Sequence, residues 1–353
     1  MNTLHIWRQR KPIGLSGIHN KLLGFGACLF LLGFIIGYPM EGQAAAQADH
    51  VILVVLEGIK PSLLQSSTTP TIARLAQEGT ASWSAQSLTP PLTVSSMASL
   101  LTGLPVEKHR VNADWEKYDF GRSFMRAPTL FDYMDLAGGL DSAVFLMDER
   151  LYQLSRPEIY VDSQVCGYTK PQCNPETVTI YIEDYLKKVT SGSGHGFRIF
   201  SVPNLLLVHF PTAAKIGQKK GWDSPNYQEA VKSIDVAVEN IINTYKELGV
   251  LDRTMVIVTA LNSGPIQGSS PNGQTVSTGT AKWDSTIPWI AWGANIKANQ
   301  TLNNPVSLLD TGATIMYALG LETHTEWESH PLKEIFQAVP ERRTTENELE
   351  KIY

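Results

Sequence analysis

Beyond residue 48, short apolar runs alternate along the chain with longer segments in which apolar residues recur every three or four positions. The short runs predict buried strands, and the longer period predicts amphipathic helices. Their alternation is typical of a mostly parallel, doubly wound α/β sheet flanked by helices. The predicted strands are 51–58, 141–147, 204–211, 254–261 and 285–293, and the predicted helices are 69–80, 127–139, 175–190, 224–249 and 307–320.

One acidic residue stands at the end of the first predicted strand. Ligands of such sheets bind beyond the carboxyl ends of the strands. Glu57 is therefore a candidate metal ligand or catalytic carboxylate. The alternative is an acidic residue in an exposed loop, and the pattern alone leaves both interpretations open.

A second candidate lies in residues 88–111, where a proline-rich stretch leads to Thr93 and then to a helix that ends near Gly103. A hydroxyl at the start of a helix can act as a nucleophile or help to hold an anion, because the first amides of the helix lack partners. The alternative is an ordinary helix cap, since Thr favours that position for the same reason.

The N-terminal region has the composition of an export signal. Residues 22–40 carry no charge, follow a basic stretch and precede the alanine-rich residues 44–48. This order is typical of a secretory signal, and the run also approaches the length of a membrane span. We therefore expect residues 1–48 to be a cleaved signal or a retained anchor, and the rest to be periplasmic or extracellular.

Net charge limits the possible binding partners, and the cysteines suggest a disulfide. The formal net charge is −5, and residues 49–353 hold 25 basic and 33 acidic residues, which argues against a nucleic-acid partner. Because exported compartments are oxidising, we expect a disulfide between Cys166 and Cys173, the alternative being two free thiols. We place the folded domain at 49–333 and a charged tail at 334–353.

Several segments resemble one family in order and spacing. VILVVLEGIKPSLL is similar to its first strand, and LTVSSMASLLTGLPVEKHRV is similar to its nucleophile segment. LLLVHFPTAAKIGQKKGW, TMVIVTALNSG and STIPWIAWGANIK are similar to its later segments. The chain thus resembles the type I phosphodiesterase/nucleotide pyrophosphatase branch of the alkaline-phosphatase superfamily over roughly residues 50–320.

The resemblance implies a threonine nucleophile between two metal ions, usually zinc, held by aspartates and histidines. It assigns the nucleophile to Thr93 and the first metal-binding aspartate to Glu57. The other ligand positions fall on residues that have lost the ligating group, namely Ala214, Gln218, Leu261 and Asn262. The last ligand histidine is also missing, since no histidine lies between His209 and His324.

These replacements predict a catalytically degenerate site. A catalytic zinc generally needs three protein ligands, and here two ions would share Glu57 and Thr93. His209 lies on a predicted strand, where packing or a local bond is the simpler interpretation, and Arg110 replaces a family glycine and adds a cation near the old site. We expect no cofactor, and we expect an anion to bind at Thr93, Ser95, Ser96, Gln218 and Asn262.

Three functions remain open. The first is a non-catalytic module that binds a phosphate-containing small molecule or a protein partner. The second is a phosphate or sulfate ester hydrolase with a metal site, holding two divalent ions such as zinc, rebuilt around Thr93 and Glu57. The third is a folding or membrane-surface scaffold without a ligand.

Overall fold

A computed structural model of the chain describes residues 45–117, 125–154, 161–165, 173–191, 202–265 and 284–338. All of them belong to one unit that begins at Ala44. The predicted signal or anchor up to residue 44, Cys166 and the tail from residue 339 lie outside the described residues.

Within the described residues, eight strands form one sheet in the order β4-β3-β5-β1-β6-β7-β2-β8. In chain order they are β1 His50–Leu56, β2 Thr80–Gln86, β3 Ser142–Leu146, β4 Val161–Val165, β5 Leu205–Phe210, β6 Thr254–Ala260, β7 Thr286–Gly293 and β8 Gln300–Thr301. β7 pairs antiparallel with both β6 and β2, whereas the other pairings are parallel. The predicted fold class, a mostly parallel sheet flanked by helices, is confirmed.

Nine α-helices accompany the sheet in the part of the chain that is described. They are α1 Pro61–Leu64, α2 Pro70–Glu78, α3 Thr93–Thr102, α4 Val106–His109, α5 Leu130–Ala137, α6 Pro175–Thr190, α7 Thr212–Lys220, α8 Pro225–Glu247 and α9 Asp310–Ala318. Sequence patterns did not predict β2, β4 or α7. β2 reads TASWSAQ, which is rich in small polar residues and lacks a clear apolar alternation.

The central strands are buried along their whole length. All residues of β1, β5 and β6 are buried, which matches their continuous apolar sequences. These three strands lie side by side and run in the same direction. Their carboxyl ends therefore meet at one edge of the sheet.

The packed chain extends past both predicted limits of the domain. The amides of Gln47 and Ala48 donate to the carbonyl of Ala318 at 2.7 and 3.0 Å. At the other end Ile335 and Phe336 are buried, although they fall in the predicted tail. Apolar side chains that pack against the core explain why the packed chain continues beyond residue 333.

The helices of the described residues are too short or too polar to cross a bilayer.

Candidate functional site

A cleft of about 470 Å³ lies at the carboxyl ends of the central strands, where ligands of such sheets bind. It is formed by residues that follow β1, β3, β5 and β6 together with the first turn of α3. Its lining consists of Glu57, Pro91, Leu92, Thr93, Glu116, Asp148, Arg150, Pro211, Ala214, Lys215, Gln218 and Asn262.

Glu57 lies at the centre of this cleft wall. The residue follows β1 and is only 4% exposed, so the interpretation as an exposed loop acid is wrong. One carboxylate oxygen accepts a hydrogen bond from Thr93 Oγ1 at 2.9 Å. The other lies 2.7 Å from Nε2 of His209. Both oxygens of Glu57 are therefore engaged by other side chains of the protein.

Thr93 is the first residue of α3, and its hydroxyl does not cap the helix. The N-cap position is Leu92, and the helix ends at Gly103 with a backbone φ of 62°. The interpretation of Thr93 as an ordinary cap is wrong, because its hydroxyl donates to Glu57 instead. The structure thus brings together the two residues that the resemblance assigned to nucleophile and metal ligand.

His209 lies beside the candidate metal ligand, where the sequence favoured packing or a local bond over a role as a ligand. It pairs with Val55 in the register of β1 and β5, which brings its ring to the end of β1. The ring is fully buried, and within the described chain its Nδ1 has no hydrogen-bond partner. Its hydrogen bond to Glu57 places an imidazole beside the carboxylate that was predicted to hold a metal ion.

Ser95 and Ser96 lie inside α3 rather than on the cleft wall. Both side chains are at least 98% buried. Ser95 Oγ has no partner among the described residues, and Ser96 Oγ lies 3.5 Å from Ser87 Oγ. Their assignment to an anion site stays a prediction.

The other positions of the expected metal site hold side chains that serve the fold. Ala214 is buried on α7, and Gln218 lines the cleft from the same helix. Leu261 is fully buried after β6. Asn262 Oδ1 accepts the amide hydrogen of Gly58 at 3.0 Å, so this amide side chain fixes the turn that follows Glu57.

The donors present do not fit a two-zinc site. Among the residues that the structure describes, no three His, Cys, Asp or Glu side chains are grouped so that they could hold a metal ion. The carboxylate that accepts the hydrogen bond of the Thr93 hydroxyl is itself hydrogen-bonded to the imidazole of His209. We therefore derive no chemical step through a metal ion.

Four charged residues of the cleft were missed by the sequence interpretation. Arg150 Nη1 lies 2.9 Å from Glu116 Oε2, and Arg150 Nη2 and Nε donate to Asp148 at 2.6 and 2.9 Å. Lys215 Nζ donates to the carbonyl of Met147 at 3.0 Å. Asp148 follows β3 almost directly, so the rule that selected Glu57 also applies to it, whereas no local pattern marks Glu116 or Arg150.

Burial and pairing shift the acidities of this charged group. Burial raises the pKa of Glu116. Burial also acts to raise the pKa of Asp148, but the hydrogen bonds and charge of Arg150 outweigh it and lower that pKa. Burial acts to lower the pKa of Arg150. The carboxylates of Asp148, Glu57 and Glu116 outweigh burial and raise that pKa.

His109 and Arg110 lie outside the cleft. His109 Nδ1 accepts the amide hydrogen of Val111, its Nε2 lies 2.8 Å from Ser99 Oγ, and burial lowers its pKa to about 4. Arg110 lines a different cleft, with Trp115, so the expectation of its cation near the site is wrong. The cation beside the cleft carboxylates is Arg150, which comes from the region after β3.

Cys173 is disulfide-bonded. Its predicted partner, Cys166, lies outside the described residues, so the pairing of the two stays a prediction.

Comparison with known families gives one match that covers more than half of the chain. The model of the type I phosphodiesterase/nucleotide pyrophosphatase family matches residues 51–260. A search of curated protein sequences finds no match.

Several solved structures share the fold at low sequence identity. Murine ectonucleotide pyrophosphatase/phosphodiesterase 5, as an inactive variant with AMP, is 13% identical with a TM-score of 0.61, over 82% of this chain and all of the other. Phosphonate monoester hydrolase of Agrobacterium radiobacter is 14% identical, with a TM-score of 0.57 over 83% and 78%. A protein bound to its substrate D-glucosamine-2-N,6-O-disulfate is 13% identical, with a TM-score of 0.59 over 82% and 80%.

Proposed function

Because the chain belongs to the type I phosphodiesterase/nucleotide pyrophosphatase family, we propose that it is an exported, non-hydrolytic member of that family. In this proposal the cleft around Glu57 and Thr93 binds a ligand or a protein partner without cleaving a bond. The ligand class is a small molecule that carries a phosphate or sulfate group.

The observation that carries this proposal is the bonding of Glu57. Each carboxylate oxygen, through which Glu57 would ligate a metal ion, is already in a hydrogen bond, one with Thr93 and the other with His209. Without a metal ion, the threonine hydroxyl has no strong activating group, and it is a poor nucleophile at its ordinary acidity. Ala214 and Leu261 offer no donor that would complete a metal site.

The ligand class is supported by the fold and by the neighbours. One structural neighbour is described with AMP and another with a sugar disulfate. The lining of this cleft includes two cations, Arg150 and Lys215, that suit such groups. A neutral amide, Gln218, lines the cleft at a position where the family has a metal ligand.

A hydrolysis assay tests the proposal. The full-length protein, Thr93→Ala and Glu57→Ala are compared on p-nitrophenyl phosphate, bis-p-nitrophenyl phosphate and p-nitrophenyl sulfate, with zinc or manganese supplied. We expect the same background release from all three proteins. Release by the wild type that Thr93→Ala abolishes would sink the proposal.

That outcome would support the second candidate function, a hydrolase with a rebuilt site. One observation favours it, namely the 2.9 Å hydrogen bond from Thr93 Oγ1 to Glu57. A carboxylate at this distance can accept the proton of an attacking hydroxyl. His209 would then orient Glu57 through its own hydrogen bond to that carboxylate.

Export is proposed from the composition of residues 1–48, and the contacts of Gln47 bear on where a signal would be cleaved. Gln47 is 6% exposed, and its carbonyl accepts a hydrogen bond from Asn295 Nδ2 at 2.6 Å. Signal cleavage after Ala46 would leave these contacts intact, whereas cleavage after Ala48 would remove them. Mass spectrometry of the secreted protein tests this, and a mature chain that begins after Ala48, or a cytoplasmic full-length chain, would contradict it.

A further inference from the structure

Helix α3 begins without a cap from its own sequence. Its N-cap residue is Leu92, which has no polar side chain, and its first turn contains no acidic residue. A helix start normally needs an acceptor for the amide of its second or third residue. Here the acceptor is Glu116, whose Oε1 accepts the amide hydrogen of Val94 at 2.7 Å.

Arg150 holds Glu116 in this position. The second carboxylate oxygen of Glu116 lies 2.9 Å from Arg150 Nη1. The guanidinium in turn makes two hydrogen bonds to Asp148, at 2.6 and 2.9 Å. All of these bonds are charge-assisted, and the paired contact to Asp148 fixes the orientation of the guanidinium plane.

The backbone that carries Glu116 is also fixed. Residues Ala113–Glu116 form a short 3₁₀ helix whose start is capped by Asn112, since its side chain accepts from the amide of Asp114. Gln153 Nε2 donates to the carbonyl of Trp115 at 3.2 Å. Two segments that follow different strands and helices thus combine to present one carboxylate to the start of α3.

Glu116 lies on the cleft wall and not in the core. Its side chain is 20% exposed, and it lines the same cleft as Thr93 and Lys215. A helix N-terminus attracts negative charge, and the donors that Glu116 engages are those that a phosphate or sulfate group would use. A carboxylate of the chain itself therefore occupies the place of an external anion.

We propose that Glu116 is a tethered anion that keeps the start of α3 closed to phosphate and sulfate groups, with Arg150 as its retaining partner. A ligand that carries such a group must displace Glu116 before it reaches the amide of Val94 and the guanidinium. This inference rests on the proposed function only in taking the cleft as the ligand site. It assigns regulation of that site to one side chain.

The test is equilibrium binding of inorganic phosphate to the full-length protein and to Glu116→Ala, by calorimetry. Removal of the carboxylate leaves charge-assisted donors free, so we expect Glu116→Ala to bind phosphate on the order of 10-fold more tightly than the wild type. Glu107→Gln is the matched control, because it removes one exposed negative charge from the neighbouring helix α4, at a residue that does not line the cleft. We expect no change in that control.

A folded Glu116→Ala protein without a gain in phosphate affinity over the wild type overturns the inference, as does an equal gain in Glu107→Gln. If Glu116→Ala does not fold, hydrogen exchange at the Val94 amide of the wild type decides. Slow exchange of the Val94 amide, unchanged by added phosphate, supports the inference that Glu116 keeps the start of α3 closed. Exchange as fast as in an unprotected loop overturns the inference. Phosphate binding tests this inference, whereas the hydrolysis assay tests the proposed function. Failure of one can therefore be distinguished from failure of the other.

Discussion

Two helices of this protein are capped by carboxylates from distant parts of the chain, and their surroundings differ. At the start of α2, the amides of Thr71 and Ile72 donate to Asp235 of α8 at 3.0 and 2.8 Å. At the start of α3, the amide of Val94 donates to Glu116. Asp235 is 2% exposed, whereas the Glu116 side chain is 20% exposed and lines the cleft.

The same local chemistry therefore serves two purposes. Asp235 joins α2 to α8 inside the core, where no ligand can compete with it. Glu116 performs the same bonding at the edge of a cleft that also contains Arg150 and Lys215, where a soluble anion can compete. The difference shows that position in the fold, and not the capping contact itself, distinguishes a structural carboxylate from one that controls access.

The largest expected effect comes from removal of the core cap. Asp235→Ala leaves two buried amides without an acceptor, and we expect the free energy of unfolding to fall by about 4 kcal/mol. Urea unfolding monitored by circular dichroism measures this loss. Phosphate affinity stays at the wild-type value in our account, and a gain there like that of Glu116→Ala would remove the distinction between the two caps.

The body of α3 depends on a neutral histidine. Burial lowers the pKa of His109 from 6.5 to about 4, so between these pH values the unfolded chain binds a proton that the folded chain does not. The free energy of unfolding therefore falls as the pH falls through that range, by about 3 kcal/mol in all. Unfolding free energies at pH 7 and pH 4.5 measure it, and His109→Asn should show a smaller difference. An identical difference in the variant would contradict this assignment.

Loss of the residue that retains Glu116 should have a smaller effect on stability. Arg150 is 30% exposed, and Arg150→Met removes its hydrogen bonds to Glu116 and Asp148, with an expected cost of about 2 kcal/mol. The lowered pKa of Asp148 should rise in the variant, because the guanidinium is the main group that lowers it. Carbon NMR titration of Asp148 measures this shift, and an unchanged pKa would show that Arg150 does not control the pair.

The smallest effect is a gain in stability at Arg110. This residue caps α4 with a backbone φ of 62°, a conformation that favours glycine. We expect Arg110→Gly to stabilise the protein by about 1 kcal/mol. Asn295→Gly is the control, since Asn tolerates its φ of 53° better and should gain less. Thermal unfolding of both variants measures these changes. Destabilisation by Arg110→Gly would show that the Arg110 side chain stabilises the protein by more than its positive φ destabilises it.

Much of the fold could be predicted because its signals are local. Helix α6 was predicted at its observed limits, since Pro175 marks its start and lysines mark its end. The continuous apolar run of β1 predicted a buried central strand, and the order of such segments predicted the sheet and the resemblance that the family match confirms. β7 runs antiparallel, which an apolar run alone does not reveal.

The candidate site was predicted only in part, because much of it depends on contacts between distant residues. Glu57 and Thr93 were selected as candidates, and the structure joins them by a hydrogen bond. Glu116 and Arg150 are 34 residues apart and acquire their role from the pairing itself. A strand pattern describes on which face His209 lies, but it does not reveal that a carboxylate from the adjacent strand end meets the ring.

The central claim is that Glu57 is engaged by protein donors and holds no metal ion, and metal content tests it most directly. The full-length protein and Glu57→Ala are loaded with zinc and manganese, dialysed, and measured by elemental analysis. The account predicts no tightly bound ion that depends on Glu57. One or more ions per wild-type chain that are absent from a folded Glu57→Ala protein would contradict it and would indicate a rebuilt metal site.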